Sequence, residues 1–428
     1  MKVLMFGWEF PPHISGGLGT ACYGMTKGLA NCDVDVLFVM PSASGDEDES
    51  AVSIINASDI EVSETVTSVD EFLGKVQFIR VGSGLMPYID PVAYSELSEE
   101  ERKFQSSEFS THLKGKYKFS GKYGANLMEE VARYAMTGAS IAEKYDFDVI
   151  HAHDWLTYLA GIAAKKVSGK PLVIHVHATE FDRTGENVNT QVFAIEQKGM
   201  QEADKVITVS DLTRNIVINK YGIDPKKVVT VHNAVDFSGR DDMEVTRGVD
   251  EKIVTFLGRI TFQKGPEYFI EAAAKVLERT KNVRFVMAGN GDLFNRSVRR
   301  VAKLGISDHF HFTGFLRGKQ VQQMFAHSDV YVMPSVSEPF GISPLEAMRT
   351  NVPSIISKQS GVAEVLDYAL KVDFWDVDAL ADAIYALITY PVMAKYAAEK
   401  GLDEVNALKW DNAARKMKAV YEAAVNNE

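Results

Sequence analysis

The strongest constraint in this chain is a rhythm: short apolar runs alternate with amphipathic stretches over nearly its whole length. "KVLMFG" and "VDVLFVM" open the series, and "VQFIRV", "DVIHAH", "PLVIHVH", "KVITVS" and "KVVTVHN" continue it. After the polar connector "DFSGRDDMEVTRGVDE" the rhythm restarts with "KIVTFLG", "VRFVMAG", "HFHFTG", "DVYVMP" and "PSIIS". Apolar runs of this kind fit strands buried on both faces, and strands separated by helices fit parallel sheets covered by helices. Two such sets in 428 residues predict two Rossmann-like domains with a boundary near residues 234–250. A long amphipathic helix is expected from about Tyr123 to Tyr145, and the acidic stretch 42–70 reads as a mobile loop or an excursion of short strands. Ligands of doubly wound sheets bind beyond the carboxyl ends of the strands, so the cleft between the two sheets is the expected site.

Composition narrows the partners. A net charge of −12 argues against nucleic acid. Cys22 and Cys32 are the only cysteines; two thiols cannot staple a chain of this size, so both are expected free, in a reducing compartment. The opening "MKVLMFGWEF" has too short an apolar run for a signal peptide, and no stretch approaches the length of a membrane span. The expected location is the cytoplasm.

The chemistry-bearing residues gather at strand ends. "HISGGLGTA" follows the first strand, and Gly16, Gly17 and Gly19 fit either a loop that cradles phosphate or sugar, or a tight turn. "LGRITFQKG" puts Arg259 and Lys264 beyond the first strand of the second half, where two cations suit a pyrophosphate. "SVSEPFGISPLEAM" runs from a strand through a Gly-containing turn into a helix, with Glu338 in the turn and Glu346 in the helix. A carboxylate beside a phosphate cradle suits a ligand that also carries hydroxyls, which is a sugar nucleotide.

Three His-x-His pairs, His151/His153, His175/His177 and His309/His311, raise the question of a metal. They sit in ordinary strand patterns, so no metal is expected. One histidine of each pair would pack inward and one reach the cleft, with His177 the leading cleft candidate. The D-x-D pairs Asp33/Asp35, Asp146/Asp148 and Asp376/Asp378 read as caps or turn residues. Residues 103–123 interleave lysines with aromatics, which fits a solvated loop or a contact with a membrane surface or glycan.

Taken together, "GWEFPPHISGGLG", "DVIHAHDW", "LVIHVHATEFD", "VVTVHNAVD", "LGRITFQKG" and "SVSEPFGISPLEAM" resemble the retaining glycosyltransferases of the GT-B fold. The resemblance spans nearly the whole chain and points to the group that holds the family 4 transferases and the glycogen and starch synthases of family 5. It implies an α/β fold with an acceptor-side domain over 1–235 and a nucleotide-sugar domain over 236–405. A helix in 406–428 would cross back to the first domain. Glu338 would contact the donor sugar, the backbone of Phe340, Gly341 and Ile342 would hold phosphate, and Glu346 would bind ribose. Arg259 and Lys264 would stabilise the departing diphosphate. Gly16 and Gly17 would lie against it from the other domain, and His177 would face the reacting sugar. Asp154 and Trp155, in "HDW", would stand on the acceptor side.

The activity implied is hexosyl, first of all glucosyl, transfer from a UDP- or ADP-sugar to an α-glucan without a metal. Ile14 and Thr20 stand where glycogen synthases usually carry Lys and Asp, and Glu346 completes a pair that many bacterial glycogen synthases lack. Those positions keep open a family 4 enzyme acting on an envelope glycan or glycolipid. A sugar-nucleotide epimerase and a non-catalytic glycan-binding protein are the alternatives of other classes.

Overall fold

A computed structural model describes residues 1–13, 17–62, 115–121, 124, 126–235 and 248–427. In its first half the strands are β1 (Lys2–Phe6), β2 (Asp35–Met40), β3 (Ser53–Asn56), β4 (Glu61–Val62), β5 (Gly115–Lys116), β6 (Val149–His153), β7 (Leu172–Val176), β8 (Lys205–Thr208) and β9 (Val228–Thr230). The second half holds β10 (Lys252–Leu257), β11 (Val283–Ala288), β12 (Phe310–Gly314), β13 (Val330–Met333), β14 (Ser354–Ser357) and β15 (Leu370–Val372).

Seven strands form one sheet in the order β3-β2-β1-β6-β7-β8-β9, and six form another in the order β12-β11-β10-β13-β14-β15. Every pairing within these two sheets is parallel. Both orders run outward from a central strand and then reverse, the doubly wound pattern, with switch points at β1/β6 and at β10/β13. The fold is α/β with two such sheets. β4 and β5 pair separately and antiparallel.

The apolar runs became strands because each sheet is covered twice. β6 and β7 are buried along their entire lengths. One core cluster fills one face of the first sheet around Leu4, Phe6, Tyr134, Trp155 and Ile174. A second fills the opposite face around Val3, Met5, Phe38, Cys22 and Trp410. The acidic stretch contributes β3 and β4, in line with short strands. β15, only three residues long, is absent from the sequence reading because "LKV" carries too little apolar pattern to stand out. The long helix runs from Leu127 to Lys144. "VQFIRV" and most of the Lys/aromatic segment lie outside the described residues, as does Gly16.

The D-x-D pairs behave as turn and cap residues. Asp33 takes a positive φ of 58°, Asp148 accepts from the Lys2 amide, and Asp376 caps the helix Val377–Thr389.

The last helix, Trp410–Asn426, returns from the second sheet to the helix Gly17–Ala30 of the first. Two glycines make room for it. A Cβ on Gly24 would meet Trp410 Nε1 at 2.1 Å, and one on Gly28 would meet the Trp410 carbonyl oxygen at 2.8 Å. Asn31 and Lys418 then tie the two helices through Asp411 and the Cys32 carbonyl. Helix propensity alone favours Ala over Gly by about 1 kcal/mol. The close backbone approach reverses that sign. Gly28→Ala is expected to lower stability by about 1–3 kcal/mol in urea unfolding; a stabilised variant would show that the helices are free to part.

Candidate active site

Both switch points place the sequence motifs on facing loops. In the second sheet, β10 ends in "GRITFQKG" and β13 in "PSVSEPFG". The first loop closes with Phe262–Lys264 as a 3₁₀ turn, and Gly265 follows at φ 64°. A Cβ on Gly265 would meet the Pro334 carbonyl oxygen at 2.1 Å, so glycine is what lets the two loops touch. Val336 N donates to the Gln263 carbonyl at 2.9 Å and locks them together. At their meeting point Lys264 Nζ donates to Glu338 Oε2 in a largely buried ion pair, and Ser335 Oγ donates to the same oxygen at 3.3 Å. Arg259 stands beside them and donates from Nη2 to Gln263 Oε1 at 3.4 Å.

The rest of the "EPFGISPLEA" run is anchored by backbone. Glu338 N donates to Gln359 O, and the carbonyls of Glu338 and Phe340 accept from Gly361 N and Val362 N. Gly341 turns the chain at φ 103°, and Ile342 precedes the helix Ser343–Arg349, which carries Glu346 in its first turn. Tyr331 OH, from β13, donates to Ser343 Oγ at 2.7 Å and fixes where that helix starts.

The first sheet approaches from the other side. Gly17 and Gly19 belong to the helix Gly17–Ala30 and not to a loop or tight turn. A Cβ built on Gly17, its first residue, would lie 3.7 Å from Ile342 Cδ1, so the start of that helix and the Glu-Pro-Phe-Gly loop face each other at contact distance. Ser337 Oγ donates to Asp182 Oδ1 at 2.5 Å. Gly185 reaches Phe262 in the same way, 3.8 Å from a built Cβ. Further out, both carboxylate oxygens of Glu364 accept from the amides of Asp211 and Leu212 at 2.8 Å, capping the helix Asp211–Tyr221 from the opposite domain.

His177 sits at the end of β7, partly exposed, with its ring against His153: His153 Nδ1 and His177 Nε2 are 2.9 Å apart. His151, His153 and His175 are fully buried. One histidine of each pair was expected at the cleft, but the first pair is buried entirely. Residues i and i+2 share a face of the sheet, and that face lies under the helices Gly17–Ala30 and Trp410–Asn426; Tyr421, from the latter, pairs with His151 Nδ1 at 2.6 Å. In the third pair His309 is half-buried, bonding the Val283 carbonyl at 3.1 Å, and His311 is exposed.

Asp154 and Trp155 differ most from the sequence reading. Trp155 is 0% exposed and belongs to the core beneath the sheet. Asp154 is buried too. It takes φ 56° and turns its Oδ1 onto the amides of His177, at 2.7 Å, and Ala178, at 3.3 Å. Burial raises its carboxyl pKa to about 7, against the pull of Arg183 and of those two amides. Both residues sit where β6 meets its helix, so they shape the cleft floor and present no side chain to it.

Comparison with known proteins agrees with this geometry. Residues 122–238 match the family model Glycosyltransferase Family 4, and residues 240–403 match Glycosyl transferases group 1. An uncharacterized glycosyltransferase of Methanocaldococcus jannaschii is 28% identical, with 99% of each chain covered. A glycogen synthase of Mycobacterium tuberculosis is 24% identical over 100% of this chain and 96% of its own. Among solved structures, Anabaena HepE in complex with UDP and glucose superposes with a TM-score of 0.67 at 15% identity, covering 99% of this chain and 100% of that one. The chain belongs to the GT-B glycosyltransferases.

In this glycosyltransferase the "ATEFDR" loop carries a network that the sequence reading did not single out. Arg183, 5% exposed at its side chain, bridges Glu180 and Glu196, and Tyr221 OH donates to Glu196. Burial raises the carboxyl pKa values of Asp182 and Glu196. The signal available in the sequence was the T-x-x-D spacing of Thr179 and Asp182, which forms a capping box. That box sets Asp182 toward Ser337 across the cleft.

Asp154 is thus a positioning residue for the His177 segment. Asp154→Ala would leave two part-buried amides without their buried acceptor and cost about 1–3 kcal/mol, while Asp154→Asn, which keeps an acceptor oxygen, should retain most of the stability. Equal stability of Asp154→Ala and wild type in urea unfolding would remove the clamp.

Proposed function

We propose that the chain transfers a hexosyl unit, in first place glucosyl, from a UDP- or ADP-sugar to an α-glucan with retention of configuration. One observation carries this reading: Gly17 from one switch point faces the loop from the other that holds Lys264, Glu338 and Ile342 together. That is the space a nucleotide sugar needs, with cations for its diphosphate and a carboxylate for its sugar hydroxyls. Similar proteins point the same way, one being a glycogen synthase and one a structure that holds UDP and glucose.

In the proposed reaction the bond from the anomeric carbon to the diphosphate stretches and negative charge builds on the β-phosphate. Arg259 and Lys264 meet that charge in a cleft where its field is less screened than in water. The acceptor hydroxyl attacks from the same face and gives its proton to the leaving phosphate. Glu338 holds the sugar hydroxyls, Glu346 the ribose, and the Phe340–Ile342 backbone the phosphates. His177 lines the reacting sugar. No step in this path calls for a metal.

The presence of both Glu338 and Glu346, with Ile14 and Thr20 in the sequence around the glycines, favours one other reading: a family 4 enzyme acting on an envelope glycan or glycolipid acceptor. Among the described residues no single helix is long and apolar enough to cross a membrane. Cys22 and Cys32 are free thiols, which supports a reducing, cytoplasmic setting.

The test is a donor screen. UDP- and ADP-sugars are incubated with and without glycogen, nucleotide release is measured, and the product anomer is read by NMR. Release that depends on glycogen, with the α-configuration kept, is the expected result; release indifferent to glycogen points to another acceptor, and binding without release to a non-catalytic protein. Glu338→Gln should stay folded and lose about tenfold or more in turnover, because a charged contact to the sugar becomes neutral. Activity should survive EDTA; complete loss restored by one specific ion would overturn the metal-free path.

A further inference from the structure

The histidines at the ends of β6 and β7 do not pack alone. Cys22, on the helix Gly17–Ala30, lies over them. One ligand atom each from Cys22, His153 and His177 falls within 4.8 Å of the other two. His153 Nδ1 and His177 Nε2 are a hydrogen-bonded pair 2.9 Å apart, and an ion that takes the place of their shared proton needs them to open only to about 3.3 Å, the edge of a tetrahedron with metal–nitrogen bonds of about 2.0–2.1 Å. Cys22 and His153 are 0% exposed and His177 is partly open to the cleft.

The surroundings favour a cation. His153 Nε2, His151 Nε2 and both ring nitrogens of His175 have no hydrogen-bond partner among the described residues, so ring nitrogens are gathered here whose polar capacity the protein itself does not use. Two buried carboxylates, Glu9 and Asp154, act on Cys22 electrostatically. Their field and the burial disfavour a bare thiolate. A divalent ion that arrives with its own charge reverses that balance.

We propose that Cys22, His153 and His177 form a binding site for a thiophilic divalent transition metal of the zinc class, with its remaining position open to the cleft. A thiolate and two imidazoles are a ligand set that zinc accepts readily, and three protein ligands leave a coordination position for water or a ligand. The second cluster, His151, His153 and His175, shares His153 but is wholly buried, so it has no member at the cleft. The consequence for activity rests on the donor-site reading above. A metal on His177 would pin the ring that lines the reacting sugar, so the ion acts as an inhibitor and not as a cofactor.

Co2+ serves as the spectroscopic probe. The full chain is washed with chelator and titrated with Co2+, then with Zn2+. The expected result is one equivalent bound with a near-ultraviolet thiolate-to-cobalt absorption, bleached by Zn2+. Cys22→Ser should abolish that absorption and weaken Zn2+ binding at least tenfold, while Cys32→Ser keeps it. His153→Gln provides a second arm should Cys22→Ser not fold, and should weaken binding likewise. Absence of the thiolate band in wild type, or its survival in Cys22→Ser, overturns the site. These spectra need no turnover, so they stand even if the donor screen fails. Where turnover is present, Zn2+ at one equivalent should suppress it; full activity with the metal bound overturns the inhibitory role.

Discussion

The arrangement depends on the ion pair between Lys264 and Glu338. The two residues come from loops after adjacent central strands, β10 and β13, and lie 74 positions apart in the chain. A cation and a carboxylate taken largely out of water are tolerable because each satisfies the other; removing one leaves an uncompensated charge. The pair therefore also fixes the loops. Gly265 packs under Pro334, Val336 bonds Gln263, and Gly361 and Val362 bond the Glu-Pro-Phe-Gly backbone from behind. In the proposed reaction the donor's phosphates take over Lys264 and its hydroxyls take over Glu338, so neither charge is left alone. The pocket is charged and ordered before its ligand arrives, which is the condition under which electrostatic stabilisation costs no rearrangement at the moment of reaction.

The domains meet through short polar contacts around this pair. Asp182 accepts from Ser337, and Glu364 caps the helix Asp211–Tyr221 while bonding His232 Nε2 at 2.7 Å. The helix Trp410–Asn426 adds a second connection at the back of the first sheet, where Tyr421 reaches His151. The histidine cluster is therefore bounded by that returning helix on one side and by the cleft on the other. Tyr421 on that helix meets His151, the far end of a row of packed histidine rings that runs through His153 to His177.

Much of this was legible in the sequence because parallel strands buried on both faces must be written as unbroken apolar runs. The strand ends were legible for the same reason: glycine, charged and histidine residues interrupt the runs where the chain leaves the sheet. Side-chain direction was not. "HAHDW" shows that His153 and Asp154 stand at a strand end, but only the positive φ of Asp154 turns its carboxylate back onto the His177 amide. Trp155 reads equally well as a ligand platform or a core residue, and the helix it begins rotates it into the core. Lys264 and Glu338 were each assigned to the donor, to different parts of it. Their mutual bond depends on strand order, which pattern alone does not fix.

The central claim is that Arg259 and Lys264 act on charge that appears only as the glycosidic bond breaks. It is tested most directly by measuring kcat and, by calorimetry, donor Kd for Arg259→Ala and Lys264→Ala. Loss of one charge-stabilising donor in an active site costs about a hundred- to a thousandfold in turnover. The account predicts a fall of that order in kcat for each variant, with a smaller change in Kd. If donor binding instead weakens by as much as kcat/KM falls while kcat holds, the two cations only bind substrate and leaving-group stabilisation is contradicted.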